Sequence, residues 1–324
     1  MEALRSTLEA RQVLIYFLAI AVGALSGLTI PSTSSLEVII NPALALMLFA
    51  TFLQVPLAEI GTALRNVRFI SALVVTSFIV MPLVSAGLIQ FLPEDPMLRL
   101  GVLFVLLTPC IDYVITFTHL GKGNARLLLA MTPMLLALQM LLLPVYLNII
   151  LGGKVSNLVE AGPFFHAFIW LIAIPLVLAG IVQLLVRRSE TAAKVGDMLN
   201  LLPVPATALV LFVVLASVMP QIGLAQNAAL HAAPLYIAFA VIAPLVGKMV
   251  ASFLGLDASS ARAVSFSASY RNSLVILPLA FAVPGGVPLL PAVILTQTIV
   301  ELCFLPLYVH LIPRLSPAPL ATQR

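Results

Sequence analysis

Long apolar runs separated by short polar loops dominate the chain. Ten of these runs are long enough for a helix to cross the hydrocarbon core of a membrane, which takes about 20 mostly apolar residues. The runs are continuously apolar rather than alternating, so they predict membrane-spanning helices and not barrel strands. The predicted spans are 13–30, 36–57, 70–92, 98–119, 127–151, 167–186, 201–219, 233–253, 263–282 and 288–312.

The composition indicates that lipid is the solvent of this protein. Of its 324 residues, 62% are hydrophobic and 9% are charged, whereas a soluble domain carries about 25% charged residues. So few charged side chains cannot cover a water-soluble globule. The net charge of +4 comes from scattered Lys and Arg with no aromatic-basic patch, so we expect no nucleic-acid partner.

The basic residues of the loops orient the predicted spans. If the N-terminus is cytoplasmic, the outer loops hold only Arg99 and Lys154, and Lys248 and Arg271 fall inside spans. Cytoplasmic loops are enriched in Lys and Arg, so the pattern predicts a bacterial-type inner-membrane protein with both termini in the cytoplasm. The bases on that side are Arg5, Arg11, Arg65, Arg68, Lys122, Arg126, Arg187, Arg188, Lys194, Arg262, Arg314 and Arg324.

Ten spans divide into two groups of five. We expect a first five-helix repeat over 1–151 and a second over 152–324, with 187–200 as the most polar linker. Because five is odd, the two repeats must have inverted orientations in the membrane. Inverted repeats are a recurring plan of secondary transporters, whose binding site lies near the midplane between interrupted helices.

The fourth span contains a sequence that can interrupt a helix, Thr108-Pro109-Cys110-Ile111-Asp112. Pro109 lacks an amide hydrogen and clashes with the preceding helical turn. A break there would free backbone carbonyls and expose amides of the second half-helix, which could face a substrate. The alternative is an ordinary proline kink, with Asp112 as a structural hydrogen-bond acceptor.

The ninth span is the counterpart of the fourth in the predicted repeat. Its stretch Ser265 to Ser273 is rich in serine and contains Ser269, Arg271 and Asn272. A charge at mid-bilayer costs at least about 2.5–3.5 kcal/mol, so this polar stretch must line a cavity or a packed interface. The alternative is a buried pair of Asp112 and Arg271 that only holds the bundle together.

Glu301 lies in the middle of the tenth span. Removal from water disfavours a charged carboxylate, so Glu301 could carry a proton, or it could be a structural partner of Arg271 or Lys248. The sequence shows no phosphate-binding glycine loop, no His/Cys set with zinc spacing and no credible nucleophilic triad. We therefore expect no enzyme activity, metal or cofactor.

At these residues the sequence resembles the superfamily that contains the bile acid:sodium symporters and the arsenical-resistance (arsenite efflux) permeases. The similarity covers nearly the whole chain in the number and order of segments. Its best local parts are Pro109-Cys110-Ile111 through Leu120-Gly121-Lys122-Gly123-Asn124, Asn41-Pro42 to Gln54-Val55-Pro56, and Arg271-Asn272-Ser273.

The resemblance implies a fold like that of the sodium/proton antiporters. Discontinuous helices four and nine would cross in a core domain of helices 3–5 and 8–10, beside a panel domain of helices 1, 2, 6 and 7. Cys110 is similar to the cysteine of the arsenite permeases, whose thiolate suits trivalent arsenic. Glu301 resembles a glutamate in their last helix.

The chain departs from both branches of this superfamily in the ninth span. Arsenite permeases carry a glutamate where this chain has Leu274. Sodium symporters carry Glu and Gln at the positions of Ser267 and Arg271, and a Ser-Asn pair near Val114 and Ile115. A guanidinium at Arg271 would put a fixed positive charge where a sodium ion would otherwise bind, so the resemblance implies no sodium coupling.

The sequence therefore predicts a sodium-independent secondary transporter that exports arsenite or a related small solute against proton uptake. Cys110 would contact the solute, Asp112 or Glu301 would carry the proton, and Arg271 would set the field at the helix crossing. One alternative is an organic-anion transporter in which Arg271 binds a carboxylate. Another is a non-transporting membrane sensor or scaffold. The expected partners are the small solute, the proton and the lipid bilayer, and a homodimer is left open.

Overall fold

The computed structural model of the protein describes residues 2–55, 61, 65–111, 113–152, 162, 166, 169–186 and 190–317. Over these residues the chain is helical and contains no β-strand. The α-helices are α1 (Glu2–Thr29), α2 (Glu37–Leu53), α3 (Val67–Val75), α4 (Met81–Leu88), α5 (Pro96–Leu106), α6 (Val114–Leu120), α7 (Ala125–Leu151), α8 (Ile174–Val186), α9 (Glu190–Leu199), α10 (Pro203–Val218), α11 (Ile222–Phe253), α12 (Ala258–Ser269), α13 (Ser273–Ala282) and α14 (Leu289–Leu315).

Most of the predicted spans are continuous helical stretches. Within the described ranges, 7 stretches are long and apolar enough to cross a membrane. The chain is therefore an all-helical protein that crosses the membrane several times. These stretches are Leu4–Thr29, Ser32–Leu53, Val67–Phe91, Ala125–Leu151, Ile169–Val186, Ala225–Phe253 and Leu289–Leu315.

The other three predicted spans have shorter helices. The seventh is α10, a helix of 16 residues. The fourth is divided between α5 and α6, and the ninth is divided between α12 and α13. The predicted interruption of both spans is thus confirmed, whereas the total of ten spans and the inverted repeat remain predictions.

Two segments that the sequence analysis placed outside the spans are helical. Most of the polar linker 187–200 forms α9, and α11 begins at Ile222 rather than at residue 233. The start of α11 is rich in alanine, the strongest helix former, and α9 contains two alanines among other helix formers such as Lys, Met and Leu. Helix propensity therefore continues past the residues that the hydropathy pattern assigns to the membrane.

Polar side chains in the loops fix where several helices begin. Asn66, Asp95, Asn124 and Asp257 precede α3, α5, α7 and α12, and each accepts a hydrogen bond from a backbone N–H of the following first turn. These N–H groups have no partner within the helix, so the caps stabilise its start. Asp95 and Asp257 begin the two helices that end at the interruptions.

The chain divides into two compact units. All described residues of the predicted site belong to the second unit. The first unit comprises Met1–Val55, Asn157–Ala229 and Leu274–Leu295, and the second comprises Pro56–Ser156, Leu230–Ser273 and Thr296–Arg324.

Two glycines let α1 approach α10 closely in the first unit. A Cβ added at Gly23 would lie 2.7 Å from the carbonyl oxygen of Phe212, and one added at Gly27 would lie 2.8 Å from that of Ala216. Residues four apart share one face of a helix. This arrangement is the small-residue packing by which helices associate in lipid.

We predict that Gly23→Ala lowers the temperature of thermal unfolding, measured on the purified protein in lipid nanodiscs. Alanine is the better helix former by about 1 kcal/mol, but its Cβ would overlap the backbone of α10, and overpacking costs about 1–3 kcal/mol. Gly87→Ala on α4 is the matched control, because a Cβ there meets nothing within 4 Å. Equal unfolding temperatures for the two variants would contradict the packing.

The cap of α12 predicts a dependence of stability on pH. Burial raises the pKa of the Asp257 carboxyl, but hydrogen bonds from Ser259 and Ser260 outweigh burial and hold that pKa below its ordinary value of 3.8. A pKa that is lower in the folded state stabilises the protein above the unfolded-state pKa, and this stabilisation is lost as pH falls through the folded-state pKa.

We therefore predict that wild type unfolds at a higher temperature than Asp257→Asn at about pH 7, and that this advantage shrinks progressively as the pH falls below 3.8. The asparagine keeps a capping oxygen, so the comparison isolates the charge of the carboxylate. Thermal unfolding of both proteins across this range provides the measurement. A constant difference at all pH values would show that ionisation of Asp257 does not contribute.

Candidate functional site

The interruptions of the fourth and ninth spans are joined to each other through the backbone. The N–H of Cys110 donates to the carbonyl of Tyr270 at 3.1 Å, and the N–H of Asn272 donates to the carbonyl of Thr108 at 2.8 Å. The two bonds form an antiparallel bridge, which we call the joint (residues 108–110 and 270–272). Each interruption therefore supplies partners for backbone groups of the other, which lipid could not do.

Local sequence explains why α5 stops at the joint. Pro109 has no N–H to continue the helix. The hydroxyl of Thr108 donates to the carbonyl oxygens of Phe104 at 2.8 Å and Val105 at 3.0 Å. These are carbonyls of the last turn of α5, which the helix leaves in part without partners. Pro109 thus ends the helix, and Thr108 supplies a hydrogen-bond donor to the carbonyls at its end.

Glu301 of α14 holds the joint from a third element. Its Oε1 accepts the hydroxyl of Tyr113 at 2.6 Å. Its Oε2 accepts the backbone N–H of Arg271 at 2.8 Å and the side-chain amide of Gln297 at 2.5 Å. The side chain is 3% exposed. A buried carboxylate requires such donors, and here they connect α14 to both interruptions.

The expected partnership of Glu301 and Arg271 exists, but it uses the backbone of Arg271. Among the described residues, the only ion pair closer than 4.0 Å is that of Arg5 and Glu9 on α1. Glu301 is therefore not paired with the guanidinium of Arg271 or with Lys248. Its position favours a role in holding the interrupted backbone.

The guanidinium of Arg271 is fully buried, at 0% exposure, and binds backbone carbonyls. Nη1 donates to Leu106 at 3.2 Å, and Nη2 donates to Ser267 at 3.4 Å and to Ala268. The guanidinium carbon also lies 5.1 Å from the centre of the Phe239 ring, a cation–π distance. The carbonyls belong to the last turns of α5 and α12, whose dipoles favour a positive charge.

The remaining predicted site residues differ in their surroundings. Cys110 is in the joint and is 1% exposed. Ser269 donates its hydroxyl to the carbonyl of Ser265 at 2.7 Å, a bond within α12. Asn272 is buried, and neither polar atom of its side chain has a hydrogen-bond partner among the described residues. Asp112 lies outside the described residues.

Aromatic rings surround the joint. The ring of Tyr270 lies 5.9 Å from that of Tyr113, 6.0 Å from those of Phe117 and Phe266, and 5.7 Å from that of Tyr308, measured between centroids. Rings at such distances pack favourably. They give the polar joint a continuous apolar wall.

The stretch Leu120 to Asn124, one of those that carry the family resemblance, forms the turn between α6 and α7, where packing requires a glycine. A Cβ at Gly121 would collide with the ring of Phe266 on α12. Arg262, also on α12, donates to the carbonyls of Lys122 at 3.1 Å and Ser316 at 2.9 Å. The turn is therefore packed against the helix whose other end forms the joint.

The sequence analysis missed two donors to Glu301. Gln297 lies four residues before Glu301, so the helical period places both on one face of α14, and this spacing could have identified it. Tyr113 is 188 residues away in sequence. No local pattern indicates that contact.

A multi-pass helical protein with a buried polar joint between two interrupted spans has the architecture of a membrane transporter. The profile of the Sodium Bile acid symporter family matches residues 41–226, more than half of the 324 residues. The chain therefore belongs to the sodium bile acid symporter family and is a membrane transporter of that type. No curated protein matches it closely enough to count as a relative.

The family match contains Cys110 but ends before the ninth span. Arg271 and Glu301 therefore lie outside the family match, and their inclusion in the candidate site rests on their contacts alone. The predicted relationship to the bile acid symporters is confirmed. The relationship to the arsenical-resistance permeases stays a prediction.

We predict that Glu301→Ala makes the thiol of Cys110 react several-fold faster with a membrane-permeant maleimide, measured in a Cys303→Ser background. Loss of the carboxylate leaves the Arg271 amide and the Tyr113 hydroxyl without their acceptor, and buried groups of this kind are destabilising. Ile299→Ala is the control, because Ile299 is 39% exposed on the same helix. Equal labelling rates in the two variants would show that Glu301 does not hold the joint closed.

Proposed function

We propose that the chain is a sodium-independent secondary transporter that exports arsenite, or a related small metalloid solute, against proton uptake. The observation that supports this most is the position of Cys110, which is 1% exposed and donates its amide across the joint. Thiolate sulfur is a soft ligand and suits trivalent arsenic. A solute bound there would contact both interrupted spans.

Glu301 is the proposed proton carrier. Its two oxygens accept three hydrogen bonds, from Tyr113, from Arg271 in the joint and from Gln297 on α14. A protonated carboxyl has one O–H donor and less capacity to accept, so protonation would weaken at least one of these bonds. Proton binding would thereby loosen the joint. Asp112, the other proposed carrier, follows Cys110 by two residues in the sequence.

The contacts of Arg271 favour a neutral metalloid over an organic anion as the solute. Recognition of a carboxylate by arginine uses the fork of guanidinium N–H donors. Both Nη atoms of Arg271 already donate to carbonyls of the protein, and Nε alone has no partner among the described residues, so the two-donor fork that a carboxylate needs is not free. The same contacts support independence from sodium, because a fixed positive charge is present at the joint.

Alternating access in this proposal comes from the core domain moving against the panel domain. The second compact unit contains α3 to α7, α12 and large parts of α11 and α14, which supports most of a core of helices 3–5 and 8–10. Almost all of α13, the second half of the ninth span, belongs to the first unit. The proposal includes ten spans in two inverted repeats, with both termini in the cytoplasm.

We predict that everted membrane vesicles containing the wild-type protein accumulate arsenite when their interior is made acidic, and that replacing sodium with choline has no effect. Cys110→Ser should abolish the accumulation, because a hydroxyl is a poor ligand for trivalent arsenic. Cys303→Ser, which changes an exposed cysteine on α14, should retain it. Accumulation by Cys110→Ser at the wild-type rate would remove Cys110 from the mechanism, and none by wild type would refute the proposed solute.

A further inference from the structure

Helix α9, in the first compact unit, is tethered at both ends to apolar helices. Residues 187–189 separate it from the end of α8 at Val186, and residues 200–202 separate it from the start of α10 at Pro203. An extended chain advances at most about 3.6 Å per residue, so each end of α9 lies within about 14 Å of one of these helices. The middle of α9 is closer still, because a Cβ added at Gly196 would lie 2.8 Å from Cγ2 of Val186.

Val186 marks a boundary of the membrane. It is the last of the 18 residues of the apolar stretch Ile169–Val186. A helix of this length extends about 27 Å, close to the hydrocarbon thickness of about 30 Å. Trp170 is exposed near the other end of the stretch, and tryptophan is typical of the membrane–water interface. Val186 therefore lies at the opposite interface, and the contact with Gly196 places α9 there too.

The surface of α9 is amphipathic. Val195 and Met198 are 50% and 63% exposed, and residues three apart share one face of a helix. Leu184 and Leu185, at the end of α8, are exposed as well, and in a membrane helix such side chains contact lipid. The apolar surface that lipid covers on α8 is therefore followed by a second apolar surface on α9.

Positive charge accompanies this apolar face. Lys194 is exposed and lies four residues before Met198, so the two side chains are neighbours on α9. A lysine in this position can cover apolar surface with its stem and extend its ammonium group to a phosphate. Arg187 and Arg188 directly follow α8 in the sequence and bring two more cations to the same boundary.

We propose that α9 binds the phospholipid headgroup region of the bilayer, with Val195 and Met198 inserted at the acyl boundary and Lys194 beside lipid phosphates. An interfacial helix of this kind buries its apolar face about 5–10 Å into that boundary. The linker between the two halves of the chain thereby becomes a surface anchor of the first unit. The inference holds for any transported solute, because α9 carries no residue of the candidate site.

The test measures the depth of spin labels on α9 in lipid nanodiscs that each hold one protein molecule. Val195→Cys, Met198→Cys and Asp197→Cys are made in a Cys303→Ser background and labelled with a nitroxide; Cys110 is buried and shielded from the label. Power saturation compares collisions with oxygen, which concentrates in lipid, and with a nickel chelate, which stays in water.

The labels at positions 195 and 198 should show an oxygen-to-nickel collision ratio several-fold above that at position 197. Position 197 is the matched control, because residues two apart on a helix point about 200° away from each other. The other two positions test the same face independently, so one of them suffices if a variant cannot be purified. Equal ratios on both faces would overturn the proposal.

The nanodisc also distinguishes lipid from a protein partner. With one purified molecule in each disc, no second protein can shield the labels, so protection from nickel must come from lipid. Protection that appears only in discs with two copies would assign this face to a dimer contact and overturn the proposal. The measurement does not involve arsenite, so failure of the proposed function would leave its result unaffected.

Discussion

The bridge between the two interruptions is the constraint on which the second unit depends. A break in a membrane helix leaves N–H and C=O groups that lipid cannot satisfy. Here one break satisfies the other, through the amides of Cys110 and Asn272. Side chains satisfy further backbone groups. Glu301 accepts the N–H of Arg271, and the side chains of Thr108 and Arg271 donate to carbonyls at the helix ends. Aromatic rings pack around Tyr270 of the joint.

Structure and chemistry are therefore hard to separate at this site. The residues that a transporter would use to hold a proton or a solute are the residues that keep the interrupted backbone satisfied. Glu301 illustrates this, since a single carboxylate connects α14 with both interruptions. In the proposed mechanism, a change in its protonation would alter the hydrogen bonds on which the joint depends, which would link proton binding to movement of helices.

Sequence reasoning found the break in the fourth span because its cause is local, whereas the break in the ninth span is what the family resemblance implies. Pro109 removes a helix amide, and the serine-rich stretch around Arg271 cannot face lipid. It did not find the contact of Tyr113 with Glu301, because hydrophobic periodicity reports which face of a helix is buried and not which distant residue meets it. It also placed the start of α11 too late, since an apolar window cannot detect a helix that continues through alanine-rich polar sequence.

The partners of Arg271 show a further limit of reasoning by charge. An acid and a base buried in neighbouring spans suggest an ion pair, yet the guanidinium binds carbonyls at two helix ends. A buried guanidinium needs acceptors for several of its N–H groups at once, and helix C-termini offer carbonyl oxygens in a suitable arrangement. Helix ends can thus replace carboxylates as counter-charges, which a count of charged residues does not reveal.

The two cysteines of the chain differ in a way that is useful for spectroscopy. Cys110 is buried in the joint, whereas Cys303 is exposed on α14, two residues after Glu301. A spin label attached to the native Cys303 would sit on the helix that carries the carboxylate while leaving the joint intact. The natural sequence thus already provides, on α14, one of the two label sites that a distance measurement requires.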